Sequence, residues 1–276
     1  MAHCISAAAE AILDKEYKVL DKGFVRLVDY MGNDSRIVQA ARVSYGDGTK
    51  SYREDSGLID YLLRNEHTSP FEQVIFTFHV KLPIFVARQW VRHRTARLNE
   101  ISGRYSVMKD EFYLPLPEDM APQSDDNKQA RASEPFPDDD AREMISALEA
   151  GQKRAFADYS ALIEKGLARE VARINLPLSL YTEWYWQIDL HNLFRFLRLR
   201  MDGHAQKEIR VYADAMFEIA KAVCPQACDS FEKHLVAGRS FSGPEMDALR
   251  NLLDGKESGL SGKPEERFKA KLFKQD

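Results

Sequence analysis

Residues 73–94 read QVIFTFHVKLPIFVARQWVRHR, and this stretch limits the fold most tightly. Val74, Phe76, Phe78 and Val80 fall on one face of a period-two segment, with Ile75, Thr77 and His79 on the other. That alternation predicts a strand with one side against the core. His79, with apolar strand on either side, reads as a core histidine satisfied by its neighbours. Pro83 then suits the first turn of a helix, where a missing N–H costs nothing, so the chain is expected to pass from strand into a helix over PIFVARQWVRHR. Arg88 and Arg92, four residues apart, share a helix face if that helix persists.

The rest of the chain fits around this core. KVLDKGFVRLVDYMG is expected to form strand and turn, and DSRIVQAARVSYG a capped helix. GLIDYLLRNEHTSPFEQ should be helical and stop near Pro70. YSVMKDEFYLP is expected to return as a strand. Segment 115–137 holds five of the eleven prolines and reads as an exposed insertion. Asp138–Asp140 should N-cap a long helix to about Lys165. LPLSLYTEWYWQI reads as a strand, followed by helices over HNLFRFLRLR and AQKEIRVYADAMFEIAKAV. The expected organisation is a leader over 1–16, a single domain over 17–240 and a peripheral tail over 241–276. Strands and helices mix without βαβ alternation, which predicts an α/β or α+β fold, a single domain with a mixed sheet and long helices.

Composition excludes several classes of function. With a formal net charge of −4, the chain lacks the basic excess of a general nucleic-acid binder. Cys4, Cys224 and Cys228 are too few and too badly spaced for a disulfide framework or a zinc site. They read as reduced thiols of a cytoplasmic protein. The amino-terminal segment lacks a basic leader, and no apolar run reaches the roughly 20 residues of a membrane span.

Against that acidic background, residues 88–106 concentrate five arginines. Arg92, Arg94, Arg97 and Arg104 are interleaved with Asn99, Glu100, Ser102, Gly103 and Ser106. Guanidinium groups fit phosphate bidentately, and hydroxyls and loop N–H groups add donors. A phosphorylated small molecule is the economical ligand. On a helical wheel His191, Arg195, Arg198 and Asp202 share one side of the HNLFRFLRLR helix, whereas Arg200 falls with Leu193, Phe196 and Leu197. An arginine on an apolar face either pairs with an internal carboxylate or faces an anionic ligand. His67, beside Thr68, Ser69 and Glu72, is a further candidate. The three tryptophans read as core. Neither a P-loop nor a Rossmann glycine fingerprint is present.

RHRTARLNEIS, Arg92 to Ser102, resembles the RHR–seven residues–Ser signature of flavin-dependent thymidylate synthases. EHTSPFEQVIFTFHVKLPIFVARQWVRHR, REVARINLPLSLYTEWYW and LRLRMDGHAQKEI resemble family segments in the same order, covering about 17 to 235. The resemblance implies a homotetramer with active sites shared between subunits and a bound FAD. NADPH and 5,10-methylenetetrahydrofolate serve as co-substrates, and dUMP is reductively methylated to dTMP without a cysteine nucleophile. It assigns dUMP binding to Gln89, Trp90, Val91, Arg92, Glu100, Ile101, Ser102, Gly103, Arg104, Arg173 and Arg200, with Ser102 and Arg104 on the phosphate. Flavin contacts fall to Ser69, Arg92, His93, Arg94, Thr95, Glu100, Asp189, His191 and Arg195. Arg200, Ser102 and His67 are the implied catalytic residues, Arg200 matching an arginine that stabilises the ionising uracil ring. The chain departs from some members at Asp189, His191 and Arg195. Two other readings compete: a non-catalytic nucleotide- or RNA-binding module, and a flavoprotein reductase with another substrate.

Overall fold

The computed structural model describes residues 4–44, 52–125 and 129–273. In chain order the elements begin with α1 (Ala7–Glu10), β1 (Tyr17–Val19), β2 (Gly23–Met31), α2 (Asp34–Ala41) and α3 (Tyr52–Arg64). Next come β3 (Ile75–Pro83), α4 (Ile84–Trp90), β4 (Arg97–Glu100), α5 (Asp138–Glu164) and α6 (Arg169–Ala172). β5 (Tyr181–Asp189), α7 (Leu190–Arg200), α8 (Lys207–Val223), α9 (Pro225–Phe231), α10 (Gly243–Leu253) and α11 (Lys263–Phe273) complete the chain. Two compact units result, Met1–Cys228 and Asp229–Asp276. No described helix is long and apolar enough to cross a membrane.

The first unit is built on a five-stranded sheet in the order β1-β2-β3-β5-β4, antiparallel at every pair and so not the mixed sheet expected. As the alternation predicts, Val74, Phe76, Phe78 and Val80 are fully buried. β3 pairs with β5 so that Phe78 lies opposite Trp186 and Val80 opposite Trp184. Leu193, Phe196 and Leu197 of α7 and Tyr212, Ala213 and Met216 of α8 are likewise buried. On the other face of β3, His79 accepts a hydrogen bond from Arg26 Nε at 3.0 Å and stacks on Tyr185 at 4.7 Å. Burial, with Arg26 beside it, holds the His79 pKa below the ordinary histidine value.

Several boundaries differ from expectation, each for a local reason. α3 ends at Arg64, well before Pro70, because Glu66 takes a positive φ of 58° and His67 N–H bonds back to the Leu62 carbonyl. α5 starts at Asp138 as expected, but Pro137 occupies the N-cap without a side-chain bond. The three aspartates instead fill the first turn, where negative charge favours the helix dipole. Residues 105–115 do not form a strand. They make one isolated bridge, Phe112 to Leu180, and are held by side chains. Phe112 packs edge-on against Phe156 of α5, and Tyr159 Oη accepts from Met108 N–H. Segment 115–137 is tied to α8: Arg131 grips the buried Glu208 through two bonds of 3.0 and 2.8 Å, and Lys207 pairs with Asp119.

In the second unit, Ser242 and Glu245 form a capping box at the start of α10. Lys271 of α11 closes on Glu245 at 2.6 Å.

Candidate functional site

Trp90 fixes where the arginine-rich segment emerges. Its indole is fully buried, with ring centroids 4.7 Å from Phe196, 5.2 Å from Trp186 and 5.5 Å from Trp184. Only the backbone of Trp90 is therefore free to meet a ligand. α4 stops here, so Arg92 lies beyond the helix and does not share a helical face with Arg88. The chain turns through Val91–Ala96 and becomes β4, an edge strand on β5 with Arg97 opposite Gln187 and Glu100 opposite Trp184. All four β4 residues are exposed, so no apolar alternation marks the strand in the sequence. Backbone pairing with β5 makes it.

After β4 the chain is stitched into a tight turn. Ile101 N–H donates to the Glu183 carbonyl, and the Ser102 carbonyl accepts from both Tyr105 and Ser106 N–H. Glu100 Oε1 accepts from Thr182 Oγ1 at 2.6 Å. Gly103 is buried, and a Cβ there would come within 2.9 Å of Met108 Sδ and 3.1 Å of Arg173 Cδ. The missing side chain is thus what lets Arg173, just beyond α6, lie over the turn. Arg104 Nε donates to Glu170 at 3.1 Å, and Arg169 donates to the Tyr105 carbonyl at 2.7 Å. Glu170, Arg169 and Thr182 were not singled out from the sequence. The first two adjoin Arg173 in AREVAR, but nothing in the spacing links Thr182 to Glu100.

A second group forms at the C-terminal end of α7. Arg200 Nε donates to His93 Nε2 at 3.1 Å, and its Nη2 donates to the Gln89 carbonyl at 3.3 Å. A histidine nitrogen that accepts from a guanidinium must be unprotonated. Burial first, then the charges of Arg200 and Arg195, pull the His93 pKa down to about 4. Burial also lowers the Arg200 pKa. Among the described residues no carboxylate pairs with Arg200, which disposes of the internal salt bridge weighed from the sequence. Gln89 Nε2 in turn donates to Gln206 Oε1.

The remaining candidates gather at the other end of α7. Leu190 N–H donates to the Val74 carbonyl, and Phe71 packs on Phe194 at 6.4 Å, bringing segment 67–73 to the start of the helix. Ser69 and His67 are exposed there, His67 with its ring 5.8 Å from Tyr61. Asp189 is the N-cap, accepting from Asn192 N–H at 2.9 Å and Asn192 Nδ2 at 2.8 Å. His191 is half-buried, and Arg195 is exposed midway along the helix. From Asp189 to Arg200 the helix rises about 16 Å, so the two groups stand that far apart. Val91, Arg92, Arg94 and Thr95 are exposed between α4 and β4, and Ile101 is exposed just after β4.

Arg92, Arg94, Arg173 and Arg195 also lack a carboxylate partner among the described residues. A cavity of about 1060 Å³ lies elsewhere, between segment 115–137, α5 and residues 203–208. It contains Gln206 and His204 but no residue of the arginine loop. Uncompensated guanidinium groups beside hydroxyls and loop N–H groups, on the edge of an antiparallel sheet, define a binder of phosphorylated small molecules.

Comparison with known proteins sharpens that class. A family described as Thymidylate synthase complementing protein matches residues 26–226, and one described as Thymidylate synthase ThyX C-terminal domain matches 240–276. A flavin-dependent thymidylate synthase from Treponema denticola is 69% identical, covering 94% of this chain and 98% of the relative. One from Thermus thermophilus is 60% identical, covering 85% of each. A crystal structure of the UMP/dUMP methylase PolB from Streptomyces cacaoi with 5-Br dUMP superposes with a TM-score of 0.73 at 32% identity, covering 79% of this chain and 98% of that one. The chain belongs to the flavin-dependent thymidylate synthase family. The resemblance carried by the motifs is borne out, as is the mixed α and β fold.

Proposed function

We propose that this protein converts dUMP to dTMP, using a bound FAD that NADPH reduces and 5,10-methylenetetrahydrofolate as the one-carbon donor. The observation that carries the reading is Arg200: a guanidinium with no carboxylate partner among the described residues, held on a neutral histidine beside a loop rich in anion donors.

In this reading Ser102, Arg104 and Arg173 hold the nucleotide phosphate. Arg104 exchanges its exposed partner Glu170 for the phosphate, a small cost because an exposed ion pair contributes little. Gln89, Glu100 and the backbone of Trp90, Val91, Ile101 and Gly103 border the base and sugar. Arg200 keeps its charge toward the uracil ring and stabilises the negative charge that develops as the N3 side ionises, a fixed cation that needs no rearrangement. His93 contributes by staying neutral, because a protonated imidazole could not accept from Arg200 Nε.

FAD fits the donors present. Arg92, Arg94 and Arg195, without carboxylate partners among the described residues, suit its pyrophosphate, while Ser69, Thr95, Glu100, Asp189 and His191 offer further polar contacts. When bound, FAD supplies the hydride that completes the new methyl group. His67, exposed at the α7 end, adjoins the flavin and folate. No cysteine is required: Cys224 is fully buried, and burial holds its thiol pKa well up. Ser69, Asp189, His191 and His67 gather at the start of α7, about 16 Å of helix from Arg200, and a homotetramer whose sites draw residues from more than one subunit accommodates that separation.

Replacing Arg200 with Ala tests the assignment. The variant should lose dTMP formation by about a hundredfold or more while still oxidising NADPH. Survival of dTMP formation would show that Arg200 has another role. A reductase of a different substrate would leave even the wild-type protein without dTMP. A nucleotide- or RNA-binding module would give a colourless protein that takes up no FAD.

A further inference from the structure

α8 begins without a cap. Gln206 stands at its N-cap position in an extended conformation (φ −56°, ψ 133°), and its side chain makes no capping bond. Ser, Thr, Asp and Asn are the residues that satisfy helix N-termini, and glutamine is a poor substitute. Here the amide points away from its own helix, and its Oε1 accepts from Gln89 Nε2. The Gln206 carbonyl meanwhile accepts from Ile209 and Arg210 N–H, so its backbone is fixed as the helix start.

The two residues that follow anchor that start to segment 115–137. Lys207 pairs with Asp119. Glu208, almost fully buried, takes both bonds from Arg131 Nη2 and a third from Tyr113 Oη at 3.1 Å. Gln89 is held on its other side through its carbonyl, which accepts from Arg200. One continuous chain thus runs from the 115–137 brace through Gln206 and Gln89 to Arg200 and His93.

We propose that Gln206 is a positioning residue for the nucleotide. A free glutamine side chain samples several rotamers. Bonded to Gln206, the half-exposed Gln89 amide is held in one place, and that rotamer freedom is removed before the nucleotide arrives. A local break of rule at a helix start, with the side chain spent on a neighbouring site, is what a functional constraint produces. The inference rests on the reading of Gln89 as a dUMP contact.

A double-mutant cycle on the FAD-loaded enzyme decides it, with dUMP as the varied substrate. Gln206→Met should raise the KM for dUMP about 3- to 10-fold, the effect of one lost hydrogen bond. The kcat, the flavin content and the KM for NADPH should stay near wild type. Q89M/Q206M should be no worse than Q89M alone, because Gln206 acts through Gln89. Gln206→Ala serves for the same cycle should Q206M fail to fold. An unchanged dUMP KM in the single variant, or penalties that multiply in the double one, would overturn the inference while wild-type turnover leaves the functional reading intact. A wild-type enzyme that forms no dTMP would defeat both.

Discussion

His93 is one of seven histidines, and its neighbours give it a single working state. The sequence marks it only as part of RHR; that it must be neutral follows from Arg200 donating to it across 107 residues of chain. Its folded pKa of about 4 lies below the ordinary histidine value. The unfolded chain therefore binds a proton that the folded chain refuses as pH falls from about 6.5 to 4. Stability from this group is complete above that window and declines through it. Urea midpoints at pH 7 and pH 4.5 should converge more closely in His93→Gln than in the wild type, and an equal acid loss in both would contradict the assignment. Gly103 makes a second prediction at this scale. Its hydrogen faces flexible side-chain atoms of Met108 and Arg173 and no rigid backbone, so Gly103→Ala should displace Arg173 without unfolding the turn. The KM for dUMP should rise about 3- to 10-fold while the melting temperature moves by only a few degrees; a large fall in stability with unchanged KM would show the glycine to be purely structural.

At the level of elements, legibility depended on whether burial or backbone pairing made the structure. β3 was readable because Val74, Phe76, Phe78 and Val80 alternate and all four are buried. β4 was not, because its four residues are exposed and the ladder to β5 alone defines it. Residues 105–115 failed the other way: Phe112 and Tyr113 look like strand residues, yet they are buried through contacts with α5 and α8 and not through a ladder. The same limit governs the site. Its arginines stand out by composition, whereas Thr182, Glu170 and Gln206 join it only through folding. The brace from segment 115–137 is testable directly. Arg131→Met leaves the Glu208 carboxylate, 4% exposed, without its cationic partner. With Tyr113 still donating, the loss should be about 2–4 kcal/mol in chemical denaturation. A loss under about 0.5 kcal/mol, the usual scale for surface changes, would mean that the pair does not anchor α8.

For the whole molecule, an acidic chain carries a local field of the opposite sign. Arg92, Arg94, Arg173, Arg195 and Arg200, none with a carboxylate partner among the described residues, lie in the turns beside β4 and α6 and on α7. α7 sets the scale: its N-terminal end gathers Asp189, His191, Ser69 and His67, its C-terminal end Arg200, and about 16 Å of helix separates them. Two phosphate-bearing ligands held along one helix are what that arrangement suits. The central claim is that these groups serve dTMP synthesis, and product formation tests it most directly. FAD-loaded protein given dUMP, methylenetetrahydrofolate and NADPH should yield dTMP and bleach its flavin faster when dUMP is present. Flavin-loaded protein that oxidises NADPH yet forms no dTMP from dUMP would contradict the account.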